Sequence, residues 1–368
     1  MHALLLASFL LVIPGDLATG SLQTAPQAVT GDAPAKLSAV EISDLQKRAD
    51  SGDAAAQFAL GKAYQSGNGV PQRPDQAAIW YRKAAEQGNE KAQNNLAFLY
   101  WLGDGVEKDK TEAIRWYRKA ARQGNANAMF NLGAAYYNGE GVRVDDTLAY
   151  AWFLLSSEAG NTSGQDAAKR SQGEHGPGGF NEACLAIGEM YETGVDLPQD
   201  FRLATTWYRK AGERGQKQAQ ISLALLSLAA KDYAEARHWC DMARKERYPP
   251  AYFCLGYLHQ NGFGVAKNPK EAFRWYQQGA QGGHTASMQV LAQMYATGEG
   301  TRLDRPESLL WFVESWRRGN KDALIAAQKL RSSMTEKEWK DAQNKLRQRN
   351  LDPQWVEAAL RGASSPAQ

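Results

Sequence analysis

The sequence contains few of the residues that most enzyme chemistry needs. Its 368 residues include three cysteines and five histidines. So few histidines leave little material for acid–base catalysis, and no histidine lies near a serine or a paired carboxylate in a recognisable nucleophile arrangement. The formal net charge is +3, which indicates neither nucleic acid nor an anionic membrane as a partner. We therefore expect no catalytic residues, no metal and no cofactor.

Long apolar runs are also scarce. Residues 3–13 form an apolar run that is too short to span a bilayer. Pro14-Gly15 and the small residues Ala18-Thr19-Gly20 follow it, and this pattern resembles a secretory signal peptide. We expect a signal peptide at residues 1–20 and a flexible linker at residues 21–36. The protein is then exported, and is periplasmic or secreted.

The chain does have an internal repeat. Trp80 and Trp116 lie 36 residues apart within nearly identical segments, and each follows a tyrosine by sixteen residues. The tryptophans that lie sixteen residues after a tyrosine or a histidine are Trp80, Trp116, Trp152, Trp207, Trp275 and Trp311. A fixed period of this length indicates a stack of small units. Apolar residues recur at helical spacing in both halves of each unit, so each unit is predicted to be an antiparallel helix pair.

A glycine-rich motif, Gly-x-Gly-Val, separates the two predicted helices. It occurs at residues 67–70, 103–106, 139–142 and 262–265, with a close variant at 298–301. Glycine ends a helix because it adopts a positive φ without steric cost, and a second glycine lets the chain turn back at once. A phosphate-binding loop would instead follow a strand. We interpret the motif as a structural turn.

The recurring pattern A-x3-LG-x2-Y-x2-G-x-GV, then D-x3-A-x2-WY-x2-A-x3-G, resembles the Sel-one-like repeat (SLR), a relative of the tetratricopeptide repeat. Seven repeats align, at residues 53–88, 89–124, 125–160, 180–215, 216–247, 248–283 and 284–319. The fifth repeat has a short loop and has Ser227 where tyrosine is expected. The resemblance implies an all-α, right-handed superhelical solenoid of antiparallel helix pairs that acts as an adaptor.

The repeats divide the predicted chain into segments. A capping helix and repeats one to three occupy residues 37–160, and repeats four to seven occupy residues 180–319. An inserted linker separates them at residues 161–179, and its segment Gly173–Gly179 is predicted to be non-helical. It is interpreted as either a hinge or a ligand loop. Capping helices are expected at residues 320–350, with Thr335 and Glu338 as a capping box, and a C-terminal tail at residues 351–368.

The first helix of each repeat is the predicted binding element. In the related tetratricopeptide architecture, the first helices line a concave groove. Its positions fall one residue before the repeat's first alanine and two, six and nine residues after it; we call these the face positions. In repeats two and three they predict binding by Lys91, Asn94, Phe98, Trp101, Asn127, Phe130 and Tyr137. The aromatic residues either form a peptide-binding groove or pack against neighbouring helices.

The fourth repeat carries an acidic row at the same positions, formed by Glu182, Glu189 and Glu192. We interpret it as an acidic patch that attracts either a basic segment or only water. A pair of carboxylates also serves glycosidases, but an exposed helix offers nothing apolar to raise the pKa of one of them.

The cysteines allow one covalent prediction. Cys240 and Cys254 flank a turn at similar distances, so a disulfide between them is possible in an exported protein. A zinc site that adds His238 and His259 is rejected, because His259 and Cys240 occupy packing positions of their repeats. No metal site is predicted.

These observations predict a non-enzymatic scaffold that binds a protein or peptide in its concave groove. The alternative is an envelope protein that binds or acts on cell-wall glycan, since some members of the resembled family are linked to such material. The sequence predicts no transmembrane span.

Overall fold

The computed structural model describes residues 36–361, which form eighteen α-helices. The first nine are α1 (Ala39–Asp50), α2 (Ala54–Ser66), α3 (Pro74–Glu86), α4 (Glu90–Leu102), α5 (Lys110–Ala121), α6 (Ala126–Asn138), α7 (Asp146–Glu158), α8 (Thr162–Thr193) and α9 (Phe201–Gly212). The other nine are α10 (Lys217–Ala229), α11 (Tyr233–Lys245), α12 (Pro249–Asn261), α13 (Pro269–Gln281), α14 (Thr285–Thr297), α15 (Arg305–Arg317), α16 (Lys321–Ser332), α17 (Glu336–Gln348) and α18 (Pro353–Leu360). The predicted signal peptide and nearly all of the predicted linker lie outside the described residues.

Two compact modules make up this chain, and the boundary between them falls between Arg214 and Gly215. We call residues 36–214 the N-terminal module and residues 215–361 the C-terminal module. Within each module, consecutive helices pack as pairs: α2 with α3, α4 with α5 and α6 with α7 in one, and α10 with α11, α12 with α13 and α14 with α15 in the other. The predicted all-α fold of sequential helix pairs is confirmed.

Small residues on the first helix bring the two helices of a pair close together. A Cβ atom added at Gly61 would lie 2.6 Å from the ring of Tyr81, and one at Gly188 would lie 2.4 Å from the ring of Tyr208. The tyrosine ring therefore rests directly on the backbone of the first helix. The neighbouring tryptophan is buried as well, with Trp116 5% exposed and Trp152 fully buried.

The glycine loops connect each repeat to the one before it. The first glycine of each motif ends the first helix in the left-handed conformation, as Gly103 does with a φ of 77°. The second glycine approaches the start of the preceding second helix: a Cβ atom at Gly105 would lie 2.2 Å from the carbonyl carbon of Pro74. Only glycine leaves room for this contact, so the second glycine is a stacking residue as well as a turn residue.

Repeat four departs from this rule. Asp196 stands where the other loops have their second glycine. Its carboxylate lies 3.0 Å from Arg118 Nε on α5. Arg122, the C-cap residue of the same helix, donates hydrogen bonds to the carbonyl oxygens of Gly194 and Val195 at 3.0 and 3.1 Å. The loop of the fourth repeat is therefore attached by arginines to the second repeat.

The insertion is helical on both sides of a single break, whereas the whole of its segment Gly173–Gly179 was predicted to be non-helical. Helix α8 contains it and is interrupted only at Gly176, whose φ of 62° and ψ of −163° are accessible to glycine. Pro177 directly follows the break, where its ring and missing N–H do not disrupt a preceding helical turn. Asn161 caps α8 as Asn125 caps α6, so the insertion begins like one more repeat.

Both ends of the described chain carry the expected caps. Ser38 and Glu41 form a capping box at the start of α1, and Thr335 and Glu338 form the predicted one at the start of α17. The predicted tail, however, contains helix α18. Its Trp355 stacks on Trp316 with ring centroids 5.1 Å apart, so this short helix is held by packing that eight residues of sequence do not reveal.

Candidate functional site

The structure separates the predicted binding residues of repeats two and three into two groups. Lys91 is exposed, and Phe98, Asn127 and Tyr137 are half-buried. The other three are buried, with 0% of Asn94, 5% of Trp101 and 3% of Phe130 exposed. The face positions are therefore only partly available to a partner.

Trp101 and Phe130 require a correction, since both were candidates for an exposed groove. The ring of Trp101 packs against Tyr117, with centroids 6.4 Å apart, and Lys110 Nζ lies 5.2 Å from its centroid. Phe130 packs against Phe153 at 5.7 Å. These large side chains fill space between the two helices of a pair, which is the packing alternative that the sequence left open.

Asn94 is buried for a different reason, because it belongs to a network of side-chain hydrogen bonds. The Tyr81 hydroxyl donates to Gln65 Oε1 at 2.6 Å and accepts from Asn95 Nδ2 at 3.1 Å. Asn94 Nδ2 donates to Asn95 Oδ1 at 3.3 Å, and Asn131 Nδ2 donates to Asn94 Oδ1 at 3.2 Å. The network links three successive first helices, and burial raises the pKa of Tyr81. These amides serve the interior of the N-terminal module.

In repeat two, a tryptophan replaces the glutamine whose amide accepts the tyrosine hydrogen bond in repeat one, and Tyr117 shows the consequence. It occupies the same place in repeat two as Tyr81 does in repeat one, but Trp101 stands where Gln65 stands. Among the described residues its hydroxyl has no hydrogen-bond partner. Full burial raises its pKa well above the usual value. The fit of Trp101 in this pair therefore leaves one polar atom unsatisfied.

The acidic row of repeat four lies on α8 after the break. Glu182 is exposed, while Glu189 and Glu192 are half-buried. Glu192 Oε2 accepts a hydrogen bond from the Tyr208 hydroxyl, so this carboxylate takes the role that Gln65 has in the first repeat. Glu192 thus contributes to packing between two helices, and Glu182 is the most accessible residue of the acidic row.

A second set of face residues was not identified from the sequence, although the same spacing rule finds it. In repeats five and six, five of the eight face positions are large apolar or aromatic residues: Ile221, Leu225, Leu228, Phe253 and Tyr257. The structure places these five around one shallow depression between α10 and α12, with a free volume of about 10 Å³. Its wall is apolar, and its half-buried members are Leu225, Leu228 and Tyr257. The binding residues predicted from the sequence come only from repeats two to four.

Cys254 also lines this depression. A disulfide joins Cys240 to Cys254, with Cα atoms 6.1 Å apart, and so links α11 to α12. Within residues 36–361 no group of His, Cys, Asp and Glu is arranged to hold a metal ion. Cys184 is a buried thiol whose pKa burial raises to about 12, so it is a poor nucleophile.

In the described part of the chain, no helix combines the length and the apolar character needed to cross a bilayer.

The repeats match a known family model. The model described as the Sel1 repeat matches residues 54–89, 90–125, 126–161, 181–216, 218–246, 249–284 and 285–320. These segments agree with the seven repeats read from the sequence to within two residues at nearly every boundary.

Individual proteins are similar over shorter stretches. The chain is 31% identical over 109 residues to the chitin synthase regulator SKT5 of Saccharomyces cerevisiae, covering 28% of this chain and 16% of that protein. It is 26% identical over 136 residues to chitin synthase regulatory factor 3 of Schizosaccharomyces pombe, covering 35% and 15%. The matched segments thus span a small part of these relatives.

Among solved structures, a protective antigen of uropathogenic Escherichia coli strains that displays an SLR fold is 29% identical. The similarity covers 88% of this chain and 66% of that chain, with a TM-score of 0.44. The repeat model, by contrast, matches more than half of the chain. The protein belongs to the Sel1 repeat family.

Proposed function

We propose that this protein is a non-enzymatic scaffold that binds a protein or peptide partner through the first helices of its repeats. One observation carries the proposal: the packing positions repeat along the chain, whereas the face positions change from repeat to repeat. Trp116, Trp152 and Trp207 are all buried at equivalent places. The sixth residue after the first alanine is Lys62, then Phe98, then Ala134, then Glu189, then Leu225.

This pattern supports a binding role because the fold does not require it. Some face residues serve packing without recurring, as the buried Trp101 and Phe130 do, but the exposed and half-buried ones are not fixed by the stacking of the repeat array. Variable, partly exposed side chains on a rigid series of helices are suited to recognising a chain segment. In the N-terminal module the accessible members are Lys91, Phe98, Tyr137 and Glu182.

The relatives support a protein partner. Two of them carry names that describe regulation of chitin synthase. The similarity to these regulators supports a binding role for this chain. The glycan alternative is retained as an outcome of the experiments below.

We also propose that the protein is exported. The apolar run at residues 3–13 and the small residues near Gly20 support a cleaved signal peptide. The disulfide supports an oxidising compartment. Mass spectrometry of the mature N-terminus tests this: a chain that begins close to Ser21 is expected, and an intact Met1 on protein from the cytosol contradicts it.

Crosslinking in the native cell envelope tests the binding role. A photo-crosslinking residue placed at Phe98 or Tyr137 should capture a polypeptide, and the same residue at Leu102, which is 49% exposed on α4, should not. Peptidoglycan fragments are incubated with the purified protein in parallel. Turnover of those fragments, or a crosslinked species made only of glycan, would replace the scaffold proposal with the glycan alternative.

A further inference from the structure

The apolar depression of the C-terminal module has a chemical character that differs from the other face positions. Ile221, Leu225 and Leu228 from α10 face Phe253 and Tyr257 from α12 across it. Its free volume of about 10 Å³ is far below the roughly 300–1,000 Å³ of sites that enclose a drug-sized ligand. A shallow apolar surface of this kind suits contact with the apolar side chains of a chain segment better than enclosure of a small molecule.

The helices around the depression carry no negative charge. The three successive first helices α10, α12 and α14 contain no Asp or Glu. The whole C-terminal module has 22 Lys and Arg against 15 Asp and Glu, a net charge of +7, whereas the N-terminal module has 21 against 23, a net charge of −2. An acidic segment would meet no like charge on these first helices.

Two lysines mark the ends of α10. Lys217 is its first residue and Lys231 follows its last residue by two positions. Both are exposed, and neither makes an ion pair with any residue in the range 36–361. The thirteen residues of α10, from Lys217 to Ala229, span about 20 Å. The apolar wall thus lies between two uncompensated positive charges.

We propose that α10 and α12 bind an apolar segment of a partner protein that carries carboxylates at both ends. Burial of apolar side chains against Leu225 and Leu228 provides affinity. Lys217 and Lys231 attract the flanking carboxylates and fix the position of the segment along α10. The inference rests on the proposed scaffold function and names the chemistry of one partner segment.

The test uses a phage library of random 16-residue peptides selected on the full chain. Enriched peptides should combine Leu, Ile or Phe in their centre with Asp or Glu near both ends. The most enriched peptide is then synthesised with a fluorophore, and its Kd is measured by anisotropy. Enrichment of basic or uncharged sequences, or no enrichment, contradicts the proposal.

Variants locate the binding site. Leu225→Glu should weaken the Kd by roughly tenfold or more, as truncation of an anchor residue does. The double variant Lys217→Glu, Lys231→Glu should weaken it by about tenfold, with the loss shrinking at high salt. The matched control is Lys245→Glu, Lys270→Glu, which reverses two exposed lysines on second helices and should change the Kd by less than about twofold.

Each outcome of these measurements either supports or contradicts the proposal. If Leu225→Glu fails to fold, the lysine variants still decide, because both lysines are exposed. Equal loss in the control pair, or unchanged binding in the Lys217 and Lys231 variant, overturns the proposal. So does a dimer in sedimentation velocity that Leu225→Glu abolishes, since a second copy of the chain would then occupy the face. The envelope crosslinks from α4 and α6 test the scaffold function separately and do not depend on this peptide.

Discussion

The ninth residue after the repeat's first alanine differs between repeat one of the N-terminal module and repeat five of the C-terminal module. In repeat one this residue is Gln65, which accepts a hydrogen bond from the Tyr81 hydroxyl. In repeat five it is Leu228, and the second helix has Cys240 in place of that tyrosine. The amide is present where a buried hydroxyl needs an acceptor. Where the hydroxyl is absent, an apolar residue stands at the face and the cysteine forms a disulfide. The face residue and the packing residue beneath it have therefore changed together.

Repeat two breaks this pairing and gives the largest expected effect. Trp101→Ala should destabilise the N-terminal module by about 3–5 kcal/mol, as Trp116→Ala should, because both side chains are buried. Trp101→Gln should be about 1 kcal/mol more stable than Trp101→Ala, since the glutamine amide oxygen can accept a hydrogen bond from the Tyr117 hydroxyl. Urea unfolding measures all three. If Trp101→Ala lowers the free energy of unfolding no more than Leu102→Ala does, Trp101 contributes little to packing and is again a candidate groove residue.

The disulfide gives the next largest effect and should act on the other module. Cys240 and Cys254 are 14 positions apart, and closing a loop of this length stabilises a fold by about 3 kcal/mol. Cys240→Ser with Cys254→Ser should lower the urea midpoint of the C-terminal module alone. Cys184→Ser serves as the control for thiol loss. A midpoint unchanged by reductant in the parent chain would show that the bond is not formed.

A pH effect should likewise be confined to the C-terminal module. His284 caps α14, where Asn125 caps α6, and burial lowers its pKa to about 4. Because the unfolded pKa is near 6.5, the unfolded chain binds the proton more readily, and stability is lost as the pH falls from about 6.5 towards 4. We expect roughly 2 kcal/mol less stability at pH 5 than at pH 7. His284→Asn should remove this difference; a pH profile that the substitution leaves unchanged would assign the effect to other groups.

The smallest effect concerns the arginine-held loop of repeat four. Asp196 and Arg118 are partly exposed, with 19% and 37% of their side chains accessible. Asp196→Ala should therefore cost no more than about 1 kcal/mol. Asp200→Ala, which removes the side-chain cap of α9, gives a reference loss of about 1 kcal/mol. A much greater loss from Asp196→Ala would mean that this loop contact holds the N-terminal module together.

The sequence predicted the parts of the fold that depend on spacing. The 36-residue period predicted the seven helix pairs, and the glycine motif predicted their turns. The helical conformation on both sides of Gly176, within residues 173–179, was not predicted, because the single break at Gly176 places Pro177 at a permitted position. The burial of Trp101 and Phe130 was left open for a similar reason: spacing indicates which side of a helix a residue lies on, but not how deeply its neighbours cover it.

The candidate site was predicted less completely. The face positions were identified by rule, yet the apolar depression in repeats five and six depends on Leu225, Leu228 and Tyr257 enclosing a common space. That arrangement depends on the distance between α10 and α12, which the residue pattern of a single helix does not show. Sequence did bring Cys240 and Cys254 to attention, because they lie at matching distances from one turn.

The disulfide also determines how the C-terminal module would respond to a pulling force. The bond encloses the thirteen residues between Cys240 and Cys254, and a chain stretched from its ends cannot extend them while the bond is intact. Thirteen extended residues measure about 45 Å. The oxidised protein is therefore a shorter tether than the reduced one at full extension, and the redox state of its surroundings sets its maximum reach.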